Sequence, residues 1–217
     1  MYDYDHKMCF EVHKRSYWFT LGHILLRKIE KYYENTADAN PNYIVKKFIE
    51  LKIGPGNAVE LGCGAGRDTI YLIKNGWNVL AIDREDIESR IKTKLSKEES
   101  KQFKFLRQKF EKIELEKNNL VVANFSLPFC NKNNFKELWN KINDSILKDG
   151  YFVGNFFGNN DEWKSIKEEM TFLTREQVIE LFENFKIIKF IEVEKDDFTG
   201  LGKMKHWHIF NVIAKKL

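Results

Sequence analysis

The chain has 217 residues, 43% of them hydrophobic and 14% aromatic, and a formal net charge of +4. That length suits one domain with a substantial core, and the apolar content excludes a chain disordered through most of its length. Its 36 Lys and Arg are interleaved with 32 Asp and Glu, so no basic block marks a polyanion-binding surface. Cys9, Cys63 and Cys130 have no metal-ligand spacing and leave one thiol unpaired in any disulfide scheme. Reduced thiols in a cytoplasmic protein are therefore expected. Charges interrupt every apolar run in residues 1–19, which predicts neither a signal peptide nor a membrane span there.

No repeat and no Pro-, Gly- or Ser-rich linker divides the chain. Residues 1–42 read as a helical extension or lid ahead of a main domain over 43–217. Leu21, Leu25, Ile29 and Tyr32 recur at helical spacing, and Asn40-Pro41-Asn42 breaks that helix. Before it, Tyr17-Trp18-Phe19 with His13, Lys14 and Arg15 either docks the helix on the core or covers a pocket. Tyr43 to Leu51 predicts a second helix with Ile44, Phe48 and Leu51 on its apolar face.

From Asn57 short apolar runs alternate with helical stretches. Strands are predicted at Ala58–Leu61, Asn78–Ile82, Phe103–Arg107, Leu120–Asn124 and Tyr151–Phe157, the last entered through a Lys148-Asp149-Gly150 turn. Helices are predicted at 68–74, from Arg84 to about Lys94, at Phe135–Ile146 and at Arg175–Glu183. The last opens on the capping box Thr174-Arg175-Glu176-Gln177. Phe185–Glu194 and Trp207–Ala214 read as a broad hairpin around the polar segment Lys195–Lys203. This alternation implies an α/β fold, a parallel sheet with helices on both faces and one reversed strand near the end.

The strongest signal is Val59-Glu60-Leu61-Gly62-Cys63-Gly64-Ala65-Gly66-Arg67-Asp68. Strand, glycine turn and helix follow in the order that brings a ligand against backbone N–H groups beyond the strand ends. Asp83, at the end of the second strand, can accept hydrogen bonds from both hydroxyls of a ribose. Together they point to an adenosine-containing cofactor. Two features favour S-adenosylmethionine over a dinucleotide. Arg67 stands where a dinucleotide fingerprint has Gly or Ala, and Glu60 would repel a pyrophosphate yet suits an ammonium and a sulfonium.

Glu60-Leu61-Gly62-Cys63-Gly64-Ala65-Gly66 with Asp83 resembles motif I and the following acid of class I S-adenosylmethionine-dependent methyltransferases. Arg67-Asp68 and Pro41-Asn42 are similar to the tellurite-resistance-type subgroup acting on small molecules. The resemblance implies a Rossmann-like sheet of seven strands, mostly parallel, in the order 3-2-1-4-5-7-6 with strand seven antiparallel. It also implies that Gly62, Cys63 and Gly64 line the methionine part of the cofactor. Glu60 would hold that region, Asp83 the ribose, and Arg84 would lie near the adenine edge. Phe110 and Glu111, in the loop after the third strand, would contact adenine. Asn124 and Phe125 match the fourth-strand exit beside the transferable methyl, and Phe125-Ser126 departs from the Asn-Pro-Pro-aromatic signature of amino-directed nucleic-acid enzymes.

Some readings stay open on sequence alone. Cys63 is read as a turn-filling residue; Asp68 is either a first-turn acid favoured by the helix dipole or a cofactor contact. Phe125 and Phe129 belong either to the core or to a pocket. On a strand, His206, His208 and Phe210 share one face. Either histidine is a candidate general base, although structural roles compete, and no third ligand completes a metal site. Methyl transfer needs an aligned nucleophile more than a base. A small-molecule acceptor is expected; RNA or protein substrates, a non-catalytic cofactor module and an NAD enzyme are the alternatives. The Lys92–Lys117 region is basic but diluted by glutamates, so nucleic acid is not the expected partner.

Overall fold

Along the inner strands apolar side chains alternate between two faces, so each strand feeds two cores. The structure, a computed structural model, describes residues 27–217. Cys9, Tyr17-Trp18-Phe19 and the first half of the Leu21–Tyr32 stripe lie outside the described residues.

Helix α1 runs through residues 27–36 and α2 covers Tyr43–Ile49. Then come β1 (Asn57–Leu61), α3 (Arg67–Lys74), β2 (Asn78–Asp83), α4 (Glu88–Lys92), β3 (Phe103–Arg107) and β4 (Asn118–Ala123). The second half holds α5 (Phe135–Ser145), β5 (Ile146–Gly158), β6 (Phe172–Leu173), α6 (Arg175–Glu180), β7 (Phe185–Phe198) and β8 (Met204–Lys216). The sheet order is β3-β2-β1-β4-β5-β8-β7, with β6 paired to β5 beside this path. Strand β8 runs antiparallel to both neighbours, and the other pairings are parallel. Counted by its long strands, this is the expected 3-2-1-4-5-7-6 order; the two-residue β6 is an addition too short to leave a sequence signal.

On one face Val59, Leu61, Val121, Ala123, Phe152 and Phe156 pack against Leu138, Trp139 and Ile142 of α5 and Val178 of α6. Their alternates Ala58, Leu120, Val122 and Val153 meet Ile44, Val45 and Phe48 of α2 and Leu72 and Ile73 of α3. Each large side chain so buried contributes about 1.5–3 kcal/mol. Leu51, expected on the apolar face, lies past the end of α2 and is exposed; Val45 takes its place in the core.

Three boundaries move for physical reasons. The Lys148-Asp149-Gly150 turn lies inside β5: Asn118 pairs with Ile146 and Leu120 with Tyr151, so the extra residues bulge out, with Asp149 left-handed at φ 63°. The hairpin ladder runs on to Phe198↔Met204, and only residues 199–203 turn. Charged side chains are tolerated there because β7 is the sheet edge. The polar helix expected after Arg84 shortens to α4, whose buried apolar residue is Ile91. The capping box forms as expected: Thr174 Oγ1 accepts from the Gln177 N–H at 3.2 Å and Gln177 Oε1 from the Thr174 N–H at 2.8 Å. Among the described residues no helix is long and apolar enough to cross a membrane.

Candidate cofactor and acceptor site

Strands β1, β2, β4 and β5 end along one edge of the sheet, and the glycine turn sits on it. Gly62 and Cys63 both donate their N–H to the Ile82 carbonyl, at 2.8 and 3.1 Å, which ties the turn to β2. Gly62, Gly64 and Gly66 have φ of 69°, 54° and 79°, a region costly to residues with a Cβ. At Gly62 a Cβ would stand 2.5 Å from Ser126 Cβ, and at Gly66 2.5 Å from Ile91 Cγ1. The turn therefore presses against its neighbours while keeping its backbone open.

Three carboxylates surround this turn, all nearly buried: Glu60, Asp68 and Asp83. Burial and the charge of Asp68 hold the Glu60 carboxyl well above the usual carboxylate range, and the Thr69 hydroxyl donates to it. Asp68 is also raised by burial, opposed by Arg67 and by hydrogen bonds from the Asn42 N–H (2.6 Å) and Asn124 Nδ2 (2.9 Å). Asp83 accepts from the Gly64 N–H at 2.9 Å through Oδ2, and from the Glu85 N–H (3.1 Å) and Tyr33 hydroxyl (3.4 Å) through Oδ1. Burial is the main cause of both shifts, and acidic groups buried beside one another favour a cationic ligand and oppose a pyrophosphate. Among the described residues the Ser126 hydroxyl, buried beside Gly62, has no hydrogen-bond partner. A polar group left unmatched there fits a site that a ligand completes.

The polar spine continues across the strand ends. Asn155, fully buried on β5, accepts the Phe125 N–H at 2.8 Å and donates to Asn124 Oδ1 at 3.4 Å. Phe125 is left-handed at φ 50°, pinned by that amide. Sequence reasoning missed Asn42, Tyr33, Thr69 and Asn155 as parts of the site. Asn155 carries a signal, an amide inside the apolar run Tyr151–Phe157, because a buried polar side chain needs a partner. Cys63 and Cys130 are free and buried, and burial pushes the Cys63 thiol well up, away from nucleophilic reactivity.

The structure thus gathers Glu60, Asp68 and Asp83 around Gly62–Gly66, with Asn124 and Phe125 alongside. Arg67 opens α3 directly after the turn, and the other candidates have surroundings of their own. The Arg84 side chain is exposed and reaches Glu85 at 3.4 Å. Phe110 and Glu111 line a cleft of about 230 Å³ against α5 with Cys130, Asn134 and Lys141. His206 stands between Asp196 (Nδ1, 2.7 Å) and Glu194 (Nε2, 3.2 Å) of β7. His208 Nε2 meets Glu192 at 3.0 Å, while its Nδ1 accepts the Asn160 N–H at 3.2 Å. Both imidazoles therefore have partners at both nitrogens. Among the described residues no group of three His, Cys, Asp or Glu could hold a metal.

Those acids hold the His206 imidazole above its ordinary value of 6.5, Asp196 first and Glu194 second. A raised folded-state value adds stability that is fully present below 6.5 and lost as pH rises through the folded value. Urea midpoints should accordingly fall with pH in that window, and His206→Gln should flatten the fall. An unchanged slope in the variant would refute this coupling.

Beside Phe125 lies an aromatic box that sequence reasoning did not assemble. Phe157, Trp163 and Trp207 surround the Lys205 ammonium, whose centroid distances are 5.2, 4.6 and 3.7 Å. Lys205 is paired with Asp161 at side-chain exposures of 1% and 0%. Phe125 meets the Trp207 and Phe157 rings at 5.7 and 6.0 Å, so the box joins the cofactor side of the site. Removing one partner of such a pair strands the other charge, a cost of about 3–5 kcal/mol. Lys205→Met should lose that much in urea unfolding, and adding Asp161→Leu should restore part of it. A single variant as stable as the parent would contradict this.

The sequence profile of the tellurite resistance protein TehB matches residues 25–200. The chain belongs to the TehB family. TehB from Haemophilus influenzae superposes with a TM-score of 0.68 at 15% identity, covering 80% of this chain and 61% of that one. The chain thus spans less than two thirds of that TehB. Magnesium protoporphyrin IX methyltransferase from Synechocystis PCC 6803 with bound S-adenosylhomocysteine gives 0.67 at 12% identity, covering 87% and 93% of the two chains. N-methyltransferase NodS from Bradyrhizobium japonicum WM9, also in complex with S-adenosylhomocysteine, gives 0.61 at 14% identity, covering 82% and 89%. The fold of this TehB-family chain is therefore that of S-adenosylmethionine-dependent methyltransferases. Curated protein sequences contain no match.

Proposed function

We propose that this TehB-family protein is a cytoplasmic enzyme that transfers a methyl group from S-adenosylmethionine to a small-molecule acceptor by in-line displacement. The observation that carries this reading is the set of buried carboxylates, Glu60, Asp68 and Asp83, around a left-handed glycine turn. When bound, S-adenosylmethionine supplies an electrophilic methyl on a sulfonium. The protein does the rest. The Gly62–Gly66 backbone admits the amino-acid end, and Glu60 and Asp68 balance positive charge there. Asp83 Oδ2 keeps a lone pair for a ribose hydroxyl, and the Tyr33 hydroxyl on Oδ1 yields to the second. Asn124 and Asn155 fix Phe125 where the acceptor enters. With an aligned nucleophile in a dry aromatic site, no dedicated base is needed.

We assign the N-terminal extension, residues 1–42, as a lid. Supporting this, the Asn35 amide donates to the Gly200 carbonyl at 3.0 Å, so α1 reaches the β7–β8 turn across the strand ends. Deleting residues 1–30 should abolish turnover and leave cofactor binding. The proposed activity is tested by detecting S-adenosylhomocysteine release across a panel of small acceptors. Turnover with at least one supports the reading. Turnover with RNA alone, falling steeply with salt, would replace it.

A further inference from the structure

In the acceptor region Lys205 pairs with Asp161, Lys164 bonds Asn159 and His206 has Glu194 and Asp196. Among the described residues, Lys167 of the same region has neither an ionic nor a hydrogen-bonding side-chain partner. Its ammonium lies 3.7 Å over the Trp163 ring and 5.9 Å from the Phe129 ring. Phe129 is 50% exposed, the outer ring of a set that continues through Trp163 (5.9 Å) and Phe157 (6.3 Å) to Phe125. Asp161 and Glu162 are already engaged, by Lys205 and by the His206 N–H at 3.0 Å, and the exposed Glu168 and Glu169, next to Lys167 in the chain, form no ion pair with it.

An exposed ring beside an ammonium without an ionic partner, in the ring set that reaches Phe125, has a definite chemical complement. We infer that the acceptor is a planar organic anion, its ring against Phe129 and its charge beside Lys167. This rests on the methyltransferase reading and narrows its acceptor. An inorganic oxyanion would gain from the ammonium but nothing from the ring, whereas a neutral ring would gain only the stacking. The arrangement also separates charge usefully: carboxylates attend the cationic cofactor, and an ammonium attends the anionic nucleophile.

The test is calorimetry on the full chain saturated with S-adenosylhomocysteine, using four probes: 2-naphthoate, 2-naphthamide, cyclohexanecarboxylate and tellurite. The proposal expects 2-naphthoate to bind at least ten times more tightly than each of the other three. Lys167→Gln should erase the advantage of naphthoate over naphthamide, and Phe129→Ala its advantage over cyclohexanecarboxylate. Neither variant should change the affinity for S-adenosylhomocysteine. Equal binding of all four probes, tellurite as the tightest, or full naphthoate affinity in Lys167→Gln would each overturn the acceptor class while leaving the cofactor reading intact. Failure of the unmodified protein to bind S-adenosylhomocysteine would instead overturn the methyltransferase reading, and the acceptor proposal with it.

Discussion

Replacing Asp83 with alanine should weaken S-adenosylhomocysteine binding by at least about 100-fold. Two hydroxyl bonds to a carboxylate are each worth about 1.5–3 kcal/mol, and Asp83 alone occupies the end of β2 from which both can be made. The substitution also frees the Gly64 N–H, held at 2.9 Å, so the turn loosens where the amino-acid end sits. Asp83→Asn separates the two contributions: it keeps one acceptor oxygen and should recover part of the loss. Calorimetry provides the affinities and circular dichroism the control for folding. A folded Asp83→Ala protein with unchanged affinity would remove the ribose role from this residue.

Gly62→Ala is the second large effect, and here the loss is of stability together with binding. Its φ of 69° lies in the left-handed region, which costs a residue with a Cβ about 1–2 kcal/mol. The new Cβ would also stand 2.5 Å from Ser126 Cβ, an atom fixed to its own backbone and unable to rotate away. The turn or the β4 exit must move, and either shift disturbs the site. We expect a loss of about 3 kcal/mol or more in urea unfolding, with cofactor affinity falling alongside. Gly64→Ala is the internal control. Its φ is 54°, but among the described residues nothing lies within 4 Å of a Cβ built there, so only the conformational cost of about 1–2 kcal/mol applies. Equal losses at the two positions would show that the contact with Ser126 carries no weight.

What the sequence makes legible depends on the range of each interaction. The glycine turn and Asp83 can be read because strand, turn and helix are contiguous, and local chemistry dictates their order. Sheet order comes with the family resemblance: the hairpin reading pairs β7 with β8, but nothing in either strand says that β8 lies against β5. Asp68 is ambiguous in sequence because its partners, Asn42 and Asn124, are 26 and 56 residues away. The aromatic box is invisible there for the same reason. Asp161, Trp163 and Lys205 come from a loop after β5 and the start of β8, and only the β5–β8 pairing brings them together. The histidines are a related case: His206 and His208 read from sequence as either structural residues or candidate bases, and only the fold shows the cross-strand carboxylates of β7 that hold them.

Cofactor identity turns on which adenosine derivative the glycine turn accepts, and calorimetry with two ligands decides it. S-adenosylhomocysteine should bind one to one with micromolar affinity, and NAD should give no heat under the same conditions. Binding of NAD in the absence of any S-adenosylhomocysteine signal would contradict the assignment.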